Sequence, residues 1–149
     1  MYVANLELRE ATGDDLDTVI EFLDASDLPH EDVRDGDAEF YLGLGRADQG
    51  VVGVAGLEPY DSVGLLRSVV VPASYRGQGY GTALVDAVSA RAADAGIERL
   101  YLLTTSAEDF FAARGFEEVP RGTVPDSIRT STQFSELCPE SATCMRATL

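Results

Sequence analysis

Three predicted strands follow one another in the middle of this chain without a helix between them. They are residues 39–44, residues 51–57 after a polar RADQG turn, and the β-branched stretch GLLRSVVVP, which Pro72 ends. Consecutive strands pair as antiparallel neighbours, whereas a doubly wound parallel sheet needs a helical crossover between strands. The pattern therefore predicts an α/β fold whose mixed, mostly antiparallel sheet is flanked by helices.

Helical and strand patterns alternate on both sides of this block. NLELREAT reads as a first strand, and TGDDLDTVIEFLDASDL as a helix capped by Thr12 or Asp14. PHEDVRDGD is a second short helix or a loop. A helix with Leu84, Val88, Ala92 and Ala95 on one face ends at Gly96. The rest of the chain predicts a strand (RLYLLTT), a helix (AEDFFAAR), a strand (FEEVP), a helix (VPDSIRTSTQFSELC) and a final strand (CMRATL). At 149 residues, the economical reading is a single domain, 1–149.

The charge of the chain excludes two classes of partner. Asp and Glu total 26 against 11 basic residues, all of them arginine, so the formal net charge is −15. Nucleic acids and anionic membranes bind basic surfaces, and we expect neither as a partner. The excess of acidic residues and the absence of lysine favour a halophilic protein, adapted to high salt. Salt at about 1 M shortens the Debye length to ~3 Å and so weakens the repulsion among acidic side chains. An ordinary acidic protein is the alternative.

No segment predicts export, membrane insertion or a metal site. The N-terminus lacks a signal-peptide pattern, and no apolar run reaches the ~18 residues of a membrane helix. We therefore expect a cytoplasmic location. Cys138 and Cys144 fit neither a redox pair nor a zinc site, and buried structural thiols are favoured over binding of arsenic(III). His30 is the only histidine, so no metal is expected.

A glycine-rich turn, RGQGYG, separates the third central strand from the following helix. Unpaired amides at a helix N-terminus attract phosphate, and glycine lets phosphate approach several amides at once. Gly77, Gly79 and Gly81 remove side chains here, and Arg76 supplies a guanidinium fork. The segment is neither a nucleoside-triphosphate P-loop nor a dinucleotide fingerprint. A turn that only allows close packing is the alternative.

RSVVVPASYRGQGYGTALVDA resembles the strand, R-x-x-G-x-G turn and helix of the Gcn5-related N-acetyltransferase (GNAT) superfamily. LYLLTTSAEDFFAARGFEEV is similar to that family's next strand, helix and strand, so the likeness covers nearly the whole chain. It implies acetyl-coenzyme A (acetyl-CoA) as co-substrate, with the pyrophosphate at the turn and pantetheine along the preceding strand. The implied cofactor-binding residues are Val69, Val70, Val71, Arg76, Gly77, Gln78, Gly79, Tyr80, Gly81, Thr82, Thr105 and Phe111.

A narrower likeness concerns the acceptor. GLEPY, LLRSVVV, LYLLTT and VPDSIRTSTQFSELCPESATCM resemble arsenic-resistance N-acetyltransferases, a branch related to amino-acid N-acetyltransferases. This implies a small amine acceptor, amino acid-like or arsenical. A peptide or protein N-acetyltransferase and a non-catalytic acetyl-CoA-binding module are the alternatives. The sequence does not decide between a monomer and a homodimer.

Two residues are candidates for catalysis. Glu58 follows an apolar strand beside the one expected to carry the acetyl group, and apolar surroundings suit a carboxylate base acting directly or through water. The amide of Val69 is the candidate oxyanion donor. Arg67 interrupts an apolar strand and needs an anionic partner, either a substrate carboxylate or arsenic oxyanion, or Glu58 in a structural ion pair. Ser68, Tyr60 and Arg129 are further acceptor-binding candidates.

One position departs from the family pattern. The helix after the fifth strand often carries a tyrosine that protonates the departing thiolate, and this chain has Phe110 and Phe111 there. Tyr60, Tyr75 or water would then act as the acid, or the thiolate leaves unassisted. We expect the two phenylalanines to pack against the core or the pantetheine arm.

Overall fold

The computed structural model of the chain describes residues 6–28, 30, 33–34, 38–45, 50–130 and 142–149. Within these ranges seven strands and four α-helices follow one another. They are β1 (Glu7–Glu10), α1 (Leu16–Ala25), β2 (Glu39–Leu44), β3 (Val51–Tyr60), β4 (Val63–Val70), α2 (Tyr80–Asp94), β5 (Arg99–Thr104), α3 (Glu108–Ala113), β6 (Glu117–Glu118), α4 (Asp126–Arg129) and β7 (Thr143–Thr148).

The strands form one sheet in the order β1-β2-β3-β4-β5-β7-β6. Every neighbouring pair is antiparallel except β4 and β5, which are parallel and connected through α2. The predicted mixed, mostly antiparallel sheet is therefore confirmed. The single parallel pair is also where the sheet carries its cavity, as described below.

Helices cover both faces of the sheet. On one face, Leu84, Val88 and Ala92 of α2 are completely buried in the largest apolar cluster, which also takes in Phe111 of α3. On the other face, Leu23 of α1 packs over β2 and β3, and Ile128 of α4 packs over β5 and β7. The face predicted for α2 is confirmed over three of its four residues, since Ala95 is the exposed C-cap. Gly96, with φ +92°, ends that helix as expected.

Two boundaries differ from the prediction. Strand β3 continues to Tyr60, so Glu58 lies inside the strand opposite Leu65 of β4 rather than after the strand. Pairing with β2 stops at Leu57, so the last residues of β3 have β4 as their only neighbour and Pro59 is tolerated there. Helix α2 begins at Tyr80, two residues before Thr82.

Parts of four predicted elements, and one cysteine, lie outside the described residues. They are Asn5 of NLELREAT, residues 46–49 of the RADQG turn, most of PHEDVRDGD, the segment 131–141 after α4, and Cys138 within it. Among the residues that are described, no helix combines the length and apolar character needed to cross a membrane.

Candidate active site

A cavity of about 910 Å³ opens where β4 and β5 separate. The two strands pair only from Val63 opposite Arg99 to Leu65 opposite Tyr101. From that point the chain lines the cavity with residues 65–71, at and just after the end of β4, and with residues 102–106, at and just after the end of β5. The volume is at the upper end of the range for small-molecule sites, and the gap leaves backbone donors and acceptors without a neighbouring strand.

A β-bulge lies in the part of β4 that borders the cavity. Val54 pairs with Val70 but Gly56 pairs with Arg67, so Ala55 alone faces Ser68 and Val69. Ser68 has φ +59°, a left-handed conformation that non-glycine residues seldom adopt. Such a bulge interrupts the ladder and redirects the strand. Backbone groups around Val69 are thereby released from regular pairing with β3, at the position predicted for the oxyanion donor.

The three glycines of the turn have different structural roles. Gly77 (φ +80°) and Gly79 (φ +83°) are both left-handed, and Gly79 is the N-cap of α2. Gly81 lies within α2, where a side chain would start 3.4 Å from the ring of Phe110. All three line the cavity. The first intrahelical bond runs from the amide of Ala83 to the carbonyl of Gly79, so the preceding amides have no helical acceptor.

Arg76 ties this turn to the end of β4. Its Nε donates a hydrogen bond to the carbonyl of Val71 at 2.9 Å, and its side chain borders the cavity. The bond fixes the guanidinium beside the start of α2. An exposed guanidinium next to helix N-terminal amides forms an anion site of the kind that a pyrophosphate requires.

The phenylalanines of α3 form one wall. Phe111 is 7% exposed and packs edge-to-face on Phe110 and Phe116, with ring centroids 5.1 and 5.7 Å away. Phe110 is partly buried and lies against the same cluster. Both side chains also line the cavity, so packing against the core is confirmed, and their place beside a pantetheine arm stays a prediction.

A buried ionic cluster links β3 and β4. Nη1 of Arg67 donates to Oε2 of Glu58 at 3.0 Å, and the hydroxyl of Tyr60 donates to Oε1 at 2.6 Å. Nε of Arg67 donates to Oγ of Ser68 at 2.9 Å. The side chains of Arg67 and Glu58 are 1% and 6% exposed. A buried charge requires such partners, and here both carboxylate oxygens already accept hydrogen bonds from the protein.

A glycine makes room for the guanidinium of Arg67. Its central carbon lies 5.4 Å from the ring centroid of Phe40, within the range of a cation–π contact. A Cβ at Gly56 would lie 2.9 Å from that ring and 3.1 Å from Cγ of Arg67. The glycine is therefore required for this contact, a role that its place in an apolar strand does not reveal.

Most of the predicted cofactor-binding residues meet at this one cavity. Ser68 and Arg67 also line it, and so does Tyr75. Four predicted residues do not: Gln78, Glu58, Tyr60 and Arg129. Arg129 is exposed on α4 and pairs with Asp126, so its role in acceptor binding stays a prediction.

The end of α1 also lines the cavity, and sequence reasoning did not identify it. Ser26, Asp27 and Leu28 lie there. Sequence alone shows an acid just after a helix, which in this acidic chain is unremarkable. Only the packing of α1 across the sheet brings it to the cavity.

No group of three or more histidine, cysteine, aspartate or glutamate side chains suited to a metal is found among the described residues. Cys144 is 3% exposed, and burial raises the pKa of its thiol above the ordinary value. That thiol lies in the apolar cluster with Leu65, Tyr101 and Ile128, and Cys144 itself does not line the cavity. Cys144 is thus a structural thiol, as predicted.

Known proteins are similar to this chain in sequence and in architecture. The sequence profile of the Acetyltransferase (GNAT) family matches residues 5–116. An amino-acid acetyltransferase from Ralstonia nicotianae is 30% identical over 135 residues, which cover 82% of this chain and 29% of the relative. The chain thus spans less than a third of the length of that curated relative.

Two solved structures have the same fold. N-acetylglutamate synthase from Neisseria gonorrhoeae, complexed with coenzyme A and N-acetyl-glutamate, superposes with a TM-score of 0.79 at 20% identity, covering 98% of this chain and 35% of the other. Rv2747 from Mycobacterium tuberculosis, in complex with CoA, superposes with a TM-score of 0.79 at 23% identity, and the match covers 96% of this chain and 99% of the other. Because the family profile covers residues 5–116, three quarters of the sequence, the chain belongs to the acetyltransferase (GNAT) family.

Proposed function

We propose that this protein transfers the acetyl group of acetyl-CoA to the amine of a small, amino acid-like acceptor. The observation that carries the proposal is Arg67, a buried arginine that belongs to the cavity lining three residues before the end of β4. A cation held there suits a carboxylate, or an arsenic oxyanion, on the acceptor. The amino-acid acetyltransferase from Ralstonia supports an acceptor of this class.

The cofactor end of the cavity is assigned to the glycine turn. The N-terminal amides of α2 and the guanidinium of Arg76 would hold the pyrophosphate, with the pantetheine arm between β4 and β5. Gly77 leaves open space for that approach, since a Cβ there would meet no atom within 4 Å. The backbone of Val69 to Val71 borders the same gap.

Acetyl transfer forms one bond and breaks another. The neutral acceptor nitrogen attacks the carbonyl carbon of the thioester, the C–N bond forms, and the C–S bond breaks. An ammonium acceptor therefore gives up two protons, one to solvent and one to the sulfur. The amide of Val69 would stabilise the negative charge on the carbonyl oxygen. Tyr75, which lines the cavity, would donate the proton to the departing sulfur.

Glu58 is proposed as the base that receives the acceptor proton. Its oxygens are bonded to Arg67 and Tyr60, and its side chain does not border the cavity. A proton would therefore reach it through the Tyr60 hydroxyl or a water molecule rather than by direct contact.

The test is a thiol-release assay with acetyl-CoA over the proteinogenic L-amino acids, amines that lack a carboxylate, arsenic-bearing amines and short peptides. We expect turnover with amino acids or arsenical amines and little with amines that lack an anionic group. Turnover with peptides alone would favour a peptide N-acetyltransferase. Binding of coenzyme A without turnover on the whole panel would favour a sensor module.

Three further properties belong to the proposal. We infer that the whole chain acts as one acetyltransferase domain, that it works in the cytoplasm, and that its acid excess adapts it to high salt. The −15 net charge and the absence of lysine support the last of these. Light scattering of the purified protein distinguishes a monomer from a homodimer.

A further inference from the structure

Asp27 is placed where a helix end would normally carry glycine. The amide of Leu28 bonds to the carbonyl of Leu23 at 2.9 Å and that of Asp27 to Asp24 at 3.1 Å, the two bonds that terminate a helix through a left-handed residue. Asp27 is that residue, with φ +56°. Its carboxylate also stands at the negative end of the dipole of α1, which disfavours an acid.

Few charged residues line the cavity, although the chain is strongly acidic. Among the described residues that line it, only Asp27, Arg67 and Arg76 are charged. Arg76 belongs to the glycine turn, and Arg67 is paired with Glu58. Asp27 is thus the sole acid on the described part of the cavity wall, and within that part its carboxylate forms no ion pair or hydrogen bond.

Asp27 and Arg67 lie on the same face of the sheet. Arg67 stacks on Phe40, which belongs to the apolar cluster under α1, and Asp27 directly follows the C-terminal end of α1. The cofactor turn, α2 and α3 are associated with the opposite face. The acceptor side of the cavity therefore presents one cation and one anion, and the carbonyls that end α1 add to the negative potential near Asp27.

We propose that Asp27 binds the ammonium group of a zwitterionic acceptor whose anionic group is held by Arg67. This rests on the function proposed above and narrows it: the acceptor is an amino acid that enters with both charges, and Asp27 selects it against anions that lack an amine. Asp27 is exposed, and aspartate adopts the left-handed conformation more readily than most residues, so its place in the cavity lining carries this assignment.

The test compares Asp27→Asn and Asp27→Gly with wild type, using L-glutamate or whichever proteinogenic amino acid turns over fastest. Asn keeps the shape and tolerates the left-handed conformation but carries no charge. Both variants should raise the acceptor KM roughly tenfold, the effect of losing one charge-assisted hydrogen bond, with kcat little changed. Binding of the N-acetylated amino acid, which has no ammonium, should stay the same by calorimetry.

Asp61 provides a matched control. It is exposed, has φ +59° in the turn between β3 and β4, and does not line the cavity. Replacing either aspartate with glycine relieves a left-handed side chain, and each change should raise Tm by about 2–4 °C. Only Asp27→Gly should also raise KM.

The outcomes separate the two proposals. If wild type acetylates an amino acid and Asp27→Asn leaves its KM unchanged, or lowers kcat alone, the assignment of Asp27 is overturned while the proposed function stands. Equal losses of acceptor and N-acetylated product binding would also overturn it, because the effect would not depend on the ammonium. If wild type acetylates no amino acid, the proposed function fails and this inference fails with it.

Discussion

Arg67 and Glu58 form an ion pair with Nη1 and Oε2 3.0 Å apart, and both side chains are almost completely buried. The pair joins β3 and β4, and Arg67 also belongs to the cavity lining. The same contact therefore bears on the stability of the sheet and on the position of the charge proposed to bind the acceptor.

Removal of one partner should strongly destabilise the protein. Glu58→Ala leaves the charge of Arg67 buried without its carboxylate, and we expect the free energy of unfolding to fall by about 3–5 kcal/mol. Urea denaturation followed by circular dichroism measures this. A loss below about 1 kcal/mol would mean that the pair behaves like an exposed one.

Replacement of both partners separates stability from acceptor use. The double variant Glu58→Leu, Arg67→Met removes both charges and keeps similar volumes, so its unfolding free energy should be within about 2 kcal/mol of wild type. Its acceptor KM should rise and its kcat should fall, because the proposed base is removed together with Arg67, while its affinity for coenzyme A is retained. Parallel losses of acceptor and cofactor binding would show that Arg67 has a structural role only.

Gly79→Glu should abolish cofactor binding. The change places a carboxylate at the N-cap of α2, where the pyrophosphate is proposed to bind, and we expect coenzyme A to bind more than roughly hundredfold more weakly because several phosphate hydrogen bonds are lost. Isothermal calorimetry measures the affinity. Gly96→Ala is the control, since it strains a left-handed glycine with no atom near its Cβ and lies outside the cavity. Unchanged affinity in Gly79→Glu would contradict the site assignment.

Tyr75→Phe should lower kcat roughly hundredfold if its hydroxyl protonates the departing sulfur. The KM for acetyl-CoA should change little. Phe110→Tyr in the same background restores a hydroxyl to the cavity wall from α3, and partial recovery of kcat is expected. An unchanged kcat in Tyr75→Phe would contradict this role and leave Tyr60, water or unassisted departure of the thiolate.

Cys144 should resist modification while the protein is folded. In a Cys138→Ser background, a thiol reagent should react only as the chain unfolds, because the remaining thiol is buried and its pKa is raised. The linkage has a defined sign. Since the folded pKa lies above the unfolded value of 9.0, the thiol's contribution to stability is complete below about pH 9 and is lost as pH rises towards the folded pKa. Rapid labelling at neutral pH would contradict the burial.

Salt should stabilise the protein. At a net charge of −15, raising KCl to about 1 M shortens the Debye length to ~3 Å and weakens repulsion among surface carboxylates. We expect Tm by calorimetry to rise with KCl more than it does with sucrose at the same osmolality. A Tm that is independent of KCl would contradict adaptation to high salt and favour the alternative, an ordinary acidic protein.

The sequence was most informative where a local pattern alone determines the structure. The glycine turn, Pro72 and the period of α2 predicted the turn and the helix that line the cavity, because both depend on local sequence, although the helix begins two residues earlier than predicted. The central strands likewise predicted a sheet of mixed direction. The sequence identifies Glu58 and Arg67 as charged residues at apolar strands. It leaves open whether Arg67 pairs with Glu58 or with an anion of the substrate.

The remaining features depend on the register between strands and on the packing of distant segments. The bulge at Ser68 is visible only when β3 and β4 are aligned, and the space made by Gly56 only when Phe40 faces Arg67. Asp27 reaches the cavity because α1 crosses the sheet, a relationship that one helix pattern does not contain.

The early end of the β4–β5 pairing has a consequence for assembly and aggregation. Unpaired strand rims usually stand at the outside of a sheet, where another chain can add to them. Here the unpaired edges of β4 and β5 face each other inside the fold, between helices. A ligand of the right width can therefore bind between them, while a strand of another chain cannot. A thioester bound in the cavity should slow amide hydrogen exchange along both edges and so stabilise the whole sheet.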